Sequence, residues 1–397
     1  MNKMKTFIFF LISTLAGLSA SGQCGTTGDT IFVNSQSELD ALSSCSQISG
    51  SLYINDGDIE NLSPLSSLVS IEEHLILFEN ISMLSLEGLD QLESVGGDLK
   101  LISNFTMQDI TNLGSLSEVG GDIYIESNLG LDNLDGLQQI TSLEGSFEIY
   151  DNPTIEDLTG FENLTFVGGD FILNEFQDGL TDLTALANLE EIGGSLEIYL
   201  RGISTLEGLE SLSAVGNNLR IDSTLLLFDL DPLEELTTIG GSLQIVNNES
   251  MFSIAGMTAL TEIEGDVEIT NNPGLGNCCS LKPLMDQEPM QIGGEIVLEN
   301  NASGCNTEAE ILECIIDNVA ESLESATQIL VQNRELRISS KSDFRFQVID
   351  LSGRVLNTGG SNNGVVRVNL SSQKSRLVVV RVLNDLGQSH ARKVVIR

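Results

Sequence analysis

Apolar and polar residues form a pattern that repeats about every 24 residues along most of the chain. Each copy starts with leucine-like residues at every third position, passes a glycine corner, and ends in two apolar residues separated by one other residue, as in residues 86–101. A period of three favours a 3₁₀-like coil, whereas a period of two marks a β-strand. Each copy therefore predicts one coil, one corner and one short strand.

The pattern keeps its register over eleven copies. The residues that directly precede the predicted strands are Ser51, His74, Asp98, Asp122, Ser146, Asp170, Ser195, Asn218, Ser242, Asp266 and Glu295. They lie 23 to 25 residues apart, except for a last interval of 29. A repeat of this length is typical of a solenoid, in which each turn buries its apolar side by stacking on its neighbours. We predict a mainly β fold, a right-handed parallel β-helix or leucine-rich-repeat-like solenoid of about eleven turns over residues 23–325.

An asparagine follows the predicted strand at the same position in seven of the eleven turns. These residues are Asn80, Asn104, Asn128, Asn152, Asn248, Asn272 and Asn301. Stacked amide side chains can hydrogen-bond from turn to turn and satisfy backbone groups buried at the corner. We therefore interpret this column as structural.

The two ends of the chain depart from the repeat. Residues 1–22 combine two lysines, an apolar run and small residues, which is the pattern of a secretory signal peptide. The sequence from Thr307 to Glu310 matches a capping box and predicts a short helix held by Cys314. From residue 328 the period breaks, and alternating strands predict a small antiparallel β-sandwich over residues 328–397.

Six cysteines lie at the two ends of the predicted solenoid and nowhere between. They are Cys24, Cys45, Cys278, Cys279, Cys305 and Cys314. An even number of cysteines in an exported chain predicts disulfides, and this placement predicts that they close the uncovered terminal turns. Cys24 and Cys45 form the natural N-terminal pair, while the other four cysteines admit three pairings.

Charge divides the chain at about the same point as the repeat. Residues 24–330 hold 54 of the 58 acidic residues but four of the 18 basic ones, whereas residues 331–397 hold four acidic and 12 basic residues. So acidic a solenoid repels phosphate, which argues against nucleic-acid binding. It favours a cationic or neutral partner instead.

Few residues of the solenoid are suited to catalysis. The chain has two histidines, of which only His74 lies in the solenoid, so a Ser-His-Asp triad or a two-histidine metal set cannot be assembled there. We therefore expect no enzymatic activity and no cofactor. The alternative is a polysaccharide-degrading lyase or glycosidase that would depend on Asp98 and Asp122, which stack on successive turns. The same two carboxylates are a candidate calcium site, against the interpretation that they form a solvated edge of the sheet.

The outward positions of the strands carry all four tyrosines of the chain. Together with apolar neighbours they form a predicted strip on one sheet: Tyr53, Ile76, Phe78, Ile102, Tyr124, Tyr150, Ile172 and Tyr199. A contiguous exposed strip of this kind marks an interaction surface, although tyrosine and isoleucine also favour strands wherever they point. We predict that this strip binds a ligand.

Two family resemblances follow from these patterns. The short strand, glycine corner and leucine periodicity of about residues 31–314 resemble the receptor L domain, a leucine-rich-repeat-like β-helix, which implies a broad parallel sheet with a ligand-binding face. The segments 348–355, 368–371 and 392–397 resemble the type A C-terminal sorting domain of the Bacteroidetes type IX secretion system. That resemblance implies passage across the outer membrane through the secretion machinery.

The sequence therefore predicts an exported recognition or adhesion protein, secreted or held at the outer-membrane cell surface, that binds a glycan or protein through its sheet. It predicts no nucleic-acid partner and no stable transmembrane segment. Besides the polysaccharide-degrading enzyme, the remaining alternative is a structural spacer of a surface layer.

Overall fold

The computed structural model describes residues 22–175 and 179–314, together with 327–332, 335–340, 344–350, 355–361, 365–369, 377–384 and 389–395. The predicted signal peptide thus lies outside the described residues, apart from Gly22. Among the described residues, no helix is long and apolar enough to cross a membrane.

Residues 23–299 form a parallel β-solenoid whose main element is one sheet of twelve strands, here called the long sheet. Its strands, in sheet order, are Thr30–Val33, Ser51–Ile54, Leu75–Phe78, Leu99–Ile102, Ile123–Glu126, Phe147–Tyr150, Phe171–Glu175, Leu196–Leu200, Leu219–Asp222, Leu243–Val246, Val267–Thr270 and Ile296–Glu299. Eleven of them begin at or directly after the eleven aligned residues, which confirms the predicted register. Thr30–Val33 adds a strand that the sequence analysis missed, because it precedes the first glycine corner.

Eleven turns also carry a two-residue strand that lies outside the long sheet, just before the glycine corner. Five of these form one parallel sheet: Gln23–Cys24, Gln47–Ile48, Ser70–Ile71, Ser94–Val95 and Glu118–Val119. Six form another: Ser142–Leu143, Phe166–Val167, Glu191–Ile192, Ala214–Val215, Thr238–Ile239 and Glu262–Ile263. The predicted 3₁₀ coil is present in five turns, at Ser63–Leu65, Thr111–Leu113, Thr184–Leu186, Asp231–Leu233 and Cys279–Leu281.

The solenoid core consists of the two inward residues of each strand and the leucines of each coil. Leu99 and Leu101 of one strand, for example, are fully buried, as is Leu86 of the coil. The largest side chains lie mid-solenoid, where the Phe147 ring centroid is 4.8 Å from that of Phe161 and 5.1 Å from that of Phe171. Because each turn buries its apolar side against two others, the solenoid is held together by hydrophobic burial between neighbours.

The seven asparagines form a column along one edge of the long sheet, here called the corner ladder, in which all but the half-buried Asn301 are fully buried. Asn104 Nδ2 donates to Asn128 Oδ1 on the next turn at 3.2 Å and to the Leu77 carbonyl on the turn before at 3.0 Å. The residue before each ladder asparagine has a positive φ, for instance 57° at Ser103 and 58° at Ser127. This left-handed residue turns the chain sharply after the strand, and the asparagine satisfies the backbone groups that the turn leaves unpaired.

The corner ladder is not continuous. It runs from Asn80 to Asn152 and again from Asn248 to Asn301, with Thr224 bonded to Asn248 ahead of the second part. The two strands in the gap, Phe171–Glu175 and Leu196–Leu200, are each five residues long and pair one residue further than their neighbours. The sheet therefore extends into the corner where asparagine is missing.

Disulfides and short helices close both ends of the solenoid. Cys24 pairs with Cys45, as predicted, with Cα atoms 5.7 Å apart. At the other end the structure selects one pairing of the three, Cys278 with Cys305 and Cys279 with Cys314. The helices are Gln36–Asp40, Lys282–Met285 and Glu308–Leu312. The last confirms the predicted helix, since its cap Thr307 accepts the Glu310 N–H at 3.2 Å and Cys314 holds its end.

The C-terminal region is antiparallel, as predicted, and forms two sheets. One contains Thr327–Gln332, Glu335–Ser340 and Val365–Asn369, and the other contains Phe344–Asp350, Val355–Ser361, Leu377–Asn384 and Ser389–Val395. Both sheets contribute to one small core, in which Leu336 and Ile338 lie with Phe346, Val348 and Val380.

Candidate binding face

The residues of the predicted strip all lie on the outward face of the long sheet. This outward face consists of two side-chain columns, because the two inward residues of each strand alternate with two outward ones. One column pairs Tyr53, Ile76, Lys100 and Tyr124 on successive turns. The other pairs Phe78, Ile102, Glu126 and Tyr150. All eight predicted residues are half-buried, so each presents part of its side chain to solvent.

The N-terminal part of the face is aromatic. The Tyr53 ring centroid lies 5.5 Å from that of Phe32 and 6.3 Å from that of Phe78. Phe32 is 46% exposed, and the sequence analysis missed it together with its strand. These three rings form one aromatic cluster across the first three strands.

The middle of the face differs from the apolar strip that the sequence predicts. There each tyrosine hydroxyl donates to a glutamate two residues away on its own strand: Tyr124 to Glu126 at 2.8 Å, Tyr150 to Glu148 at 2.9 Å, and Tyr199 to Glu197 at 2.8 Å. The three glutamates were not predicted, although the recurring sequences Tyr-Ile-Glu and Glu-Ile-Tyr at these strands are the signal that identifies them. The surface is thus amphipathic, with a carboxylate beside each ring.

The three tyrosine hydroxyls keep their protons. Burial, and next the hydrogen bond to its glutamate partner, raise the pKa of each of the three tyrosines well above its usual range. The hydroxyls therefore remain donors at any physiological pH. The Tyr124 and Tyr150 rings also stack, with centroids 5.5 Å apart.

A basic residue follows the last tyrosine on the face. The Arg220 guanidinium carbon lies 5.7 Å from the Tyr199 ring centroid, and its Nη2 lies 2.6 Å from Asp222 Oδ2. Burial raises the pKa of Asp222, but hydrogen bonds from Ser223, Arg220 and neighbouring groups outweigh it and hold that pKa below its usual value. Arg220 is therefore a paired cation packed on an aromatic ring.

Two buried side-chain atoms lack a hydrogen-bond partner in the part of the chain that the structure describes, and both lie on this face. They are Asn174 Oδ1 and Arg220 Nε. Asn174 stands in the same column as Tyr150 and Tyr199, with one of them on each neighbouring turn. Because buried polar atoms in native proteins are nearly always paired, an unpaired acceptor here points to a missing partner.

Asp98 and Asp122 do not belong to either outward column. They lie in a separate column at the start of the strands, here called the acceptor column. In it, each side chain accepts the backbone N–H of the equivalent residue on the next turn: Asp98 Oδ1 accepts from Asp122 at 3.0 Å, and Asp122 Oδ1 accepts from Ser146 at 2.8 Å. Ten such hydrogen bonds follow one another from Ser51 to Glu295. Oδ1 of each of these two carboxylates therefore has a structural role in joining successive turns.

The surroundings of Asp98 agree with this role. Lys100 Nζ lies 2.8 Å from Asp98 Oδ2. Burial raises the pKa of Asp98, but the hydrogen bonds from Lys100 and from the Asp122 N–H hold that pKa below its usual value. His74 Nδ1 accepts the Asp98 N–H at 2.8 Å and lies 3.3 Å from Asp98 Oδ2. Within the described ranges, no group of three or more His, Cys, Asp or Glu residues is placed to hold a metal ion.

A second apolar surface lies just past the corner ladder. Ile81, Phe105 and Leu129 occupy equivalent positions on three consecutive turns and are 52%, 44% and 47% exposed. We call these three residues the exposed ridge. The sequence analysis missed it, because it considered the outward residues of strands and not those of the loops.

The chain is similar to known proteins in two comparisons. The profile of the receptor L domain family matches residues 188–287, which span the strands from Glu191–Ile192 to Val267–Thr270. The solved structure of an internalin from Listeria monocytogenes is similar over 70% of this chain and 81% of that chain, with 17% identity and a TM-score of 0.38. A search of the curated proteins found no match to this chain.

Proposed function

We propose that this chain is an exported recognition or adhesion protein that contacts its partner through the outward face of the long sheet. The observation that carries the proposal is the concentration on one face of all four tyrosines, three oriented Tyr–Glu pairs and both unpaired buried polar atoms. Tyrosine provides large contact area together with a polar tip, and is enriched where proteins bind their partners.

Other features support a binding role outside the cell. The receptor L domain match covers the C-terminal turns of the solenoid and agrees with a recognition module. Three disulfides are typical of proteins that fold outside the reducing cytoplasm. The solenoid offers a rigid, repetitive sheet and engages its stacked carboxylates in backbone hydrogen bonds, which favours binding over catalysis.

One experiment tests both ligand binding and polysaccharide cleavage. The purified chain, with its disulfides intact, is immobilised and exposed to a panel of cell-wall, algal and host polysaccharides and to a library of synthetic peptides. Retained ligand and newly released sugar ends are recorded separately. The matched variants are Tyr124→Ala, Tyr150→Ala and Tyr199→Ala combined, and Phe105→Ala on the exposed ridge.

We expect retention without released sugar ends, lost in the triple tyrosine variant and kept in the ridge variant. Released sugar ends would instead establish the polysaccharide-degrading alternative. Retention that survives the triple variant but fails with Phe105→Ala would move the binding surface to the ridge. No retention of any ligand would favour the structural spacer.

The route of export is a separate proposal. We infer that residues 1–22 are a signal peptide, that residues 23–325 are the mature recognition domain, and that residues 328–397 are a type IX sorting domain. The basic charge and antiparallel sandwich of the C-terminal region support this assignment. Deleting residues 328–397 in a host with type IX secretion should leave the protein in the periplasm, whereas unchanged delivery to the surface or medium would contradict it.

A further inference from the structure

Two tyrosines of the outward face stand two turns apart with one turn between them, and we call the space above that turn the tyrosine slot. Its walls are Tyr150 and Tyr199, which lie two turns apart, and its floor is Ile172 and Asn174 on the turn between them. Each tyrosine hydroxyl reaches a glutamate two residues away, so each ring runs along its strand across both columns. With a strand spacing of about 4.8 Å, the two walls stand about 10 Å apart.

The outer sides of both walls already have partners. Tyr150 stacks on Tyr124 at 5.5 Å, and Tyr199 lies beneath the Arg220 guanidinium at 5.7 Å. The sides that remain are those that face each other across Asn174. A group centred between them lies about 5 Å from each ring, within the range of about 6 Å over which a cation is attracted to an aromatic face.

The polar groups that line the slot are acceptors. Glu148 and Glu197 stand on either side of Ile172 in the neighbouring column, each held in place by a tyrosine hydroxyl. Asn174 Oδ1 is the buried acceptor that lacks a partner. A ligand that satisfies these acceptors must bring several hydrogen-bond donors, and the two carboxylates favour one with positive charge.

We propose, building on the proposed function, that the tyrosine slot receives the guanidinium group of an arginine side chain presented by a protein partner. The flat guanidinium stacks between the two rings, donates to Glu148 and Glu197, and supplies the donor that Asn174 Oδ1 lacks. The protein already uses this chemistry one turn away, where Arg220 lies on the far side of Tyr199 and donates to Asp222 at 2.6 Å. The strongly acidic solenoid adds long-range attraction for such a basic partner.

Tyrosine fluorescence can report binding at this face because of the composition of the chain. The chain contains four tyrosines and no tryptophan, and all four tyrosines lie on the outward face, so its intrinsic fluorescence reports on that face. The full chain is titrated with N-acetyl-arginine amide and, separately, with N-acetyl-citrulline amide, which has the same shape without the charge. We expect a saturable fluorescence change with the arginine probe and at least tenfold weaker binding of the citrulline probe.

The slot variant is Glu148→Gln combined with Glu197→Gln, which keeps shape and removes both charges. Its matched control is Glu118→Gln combined with Glu191→Gln, which removes two charges from the short strands outside the long sheet. We expect the slot variant to bind the arginine probe at least tenfold more weakly than the original chain, and the control to stay within twofold. A thermal unfolding curve of each variant verifies that it is folded.

The proposal is overturned if the citrulline probe binds as well as the arginine probe, if neither probe binds, or if the control variant loses as much affinity as the slot variant. These outcomes are separate from failure of the proposed function. If the chain does not bind arginine but retains another ligand through Tyr124, Tyr150 and Tyr199, the proposed recognition face stands and the arginine proposal is wrong. If the chain binds arginine only through another surface, both the proposed recognition face and the arginine proposal are wrong.

Discussion

The corner ladder and the outward face lie on the same turns, only two residues apart, yet they follow opposite rules. At the corner, asparagine returns over two runs of successive turns, mostly fully buried, with its amide bonded to both neighbouring turns, as at Asn104. On the face, Tyr124, Glu148 and Ile172 follow one another in a single column, half-buried, and polar atoms remain unpaired nearby. Positions that repeat hold the turns together, whereas positions that vary distinguish this solenoid from any other.

The largest expected effect breaks the corner ladder. Asn128 Oδ1 accepts from the Asn104 backbone N–H at 3.1 Å, and its Nδ2 donates to the Leu101 carbonyl at 2.9 Å. Asn128→Ala would leave both buried backbone groups unpaired, so the free energy of unfolding should fall by about 3–5 kcal/mol. Urea unfolding followed by circular dichroism measures this change. A loss below 1 kcal/mol, on the order of a surface substitution, would show that the ladder is dispensable.

The next effect concerns a coil position that other turns fill with asparagine. Asp229 accepts the Asp231 N–H at 3.2 Å, as Asn61 and Asn133 accept in their own turns. Burial, and next the charge of Asp231, raise the pKa of Asp229 to about 7. The folded state thus holds this proton more tightly than the unfolded state, for which the pKa is near 3.8, so ionisation costs stability as the pH rises from about 4 and the full cost is present above about 7.

Asp229→Asn keeps the hydrogen bond and removes the charge. Because Asp229 is partly exposed, we expect a gain of about 1–2 kcal/mol at pH values above 7, well below the figure for full burial, and no gain at about pH 4. Thermal unfolding at both pH values tests this expectation. Asp109→Asn, at the equivalent position that accepts the Thr111 N–H at 2.7 Å, is the control that should change little at either pH. An equal gain at both pH values would contradict the assigned cause.

A smaller stability effect with a large binding effect is expected on the face. Tyr150→Ala removes one ring stack and one hydrogen bond to Glu148 at the half-buried surface. The free energy of unfolding should therefore fall by about 1 kcal/mol. The retained ligand of the original chain should be lost, because the wall of the tyrosine slot is gone. Calorimetry and the retention assay are run on the same preparation. A variant that binds normally would place recognition elsewhere.

The smallest effect is expected in the acceptor column. Asp98→Asn and Asp122→Asn keep the Oδ1 acceptors that bond the next turn, as Asn218 already does toward Ser242 at 2.9 Å. We expect a change in the free energy of unfolding within about 0.5 kcal/mol, and no shift of the melting temperature on adding calcium or a chelator. A calcium-dependent rise that disappears in these variants would restore the metal interpretation.

Much of this architecture could be predicted from the periodicity of apolar residues in the sequence. A strict repeat such as Leu86, Leu89 and Leu92 followed by Leu99 and Leu101 can bury its apolar residues in only one arrangement, and the sequence therefore predicted the parallel turns, their register and the structural asparagines. The cysteines indicated capped ends. The order of the outward columns also followed, because side chains of a strand alternate between its two faces.

Contacts between turns were decided only by the tertiary structure. The choice of Cys278 with Cys305 required the last turn to fold over its neighbour, and the role of Asp98 appeared only when its oxygen met the Asp122 N–H on the next turn. The Tyr124–Tyr150 ring contact and the unpaired Asn174 Oδ1 likewise depend on how strands about 24 residues apart stack on one another. Local periodicity determines which face a residue occupies, but a hydrogen bond or a ring contact depends on distances of a few ångströms that stacking alone sets.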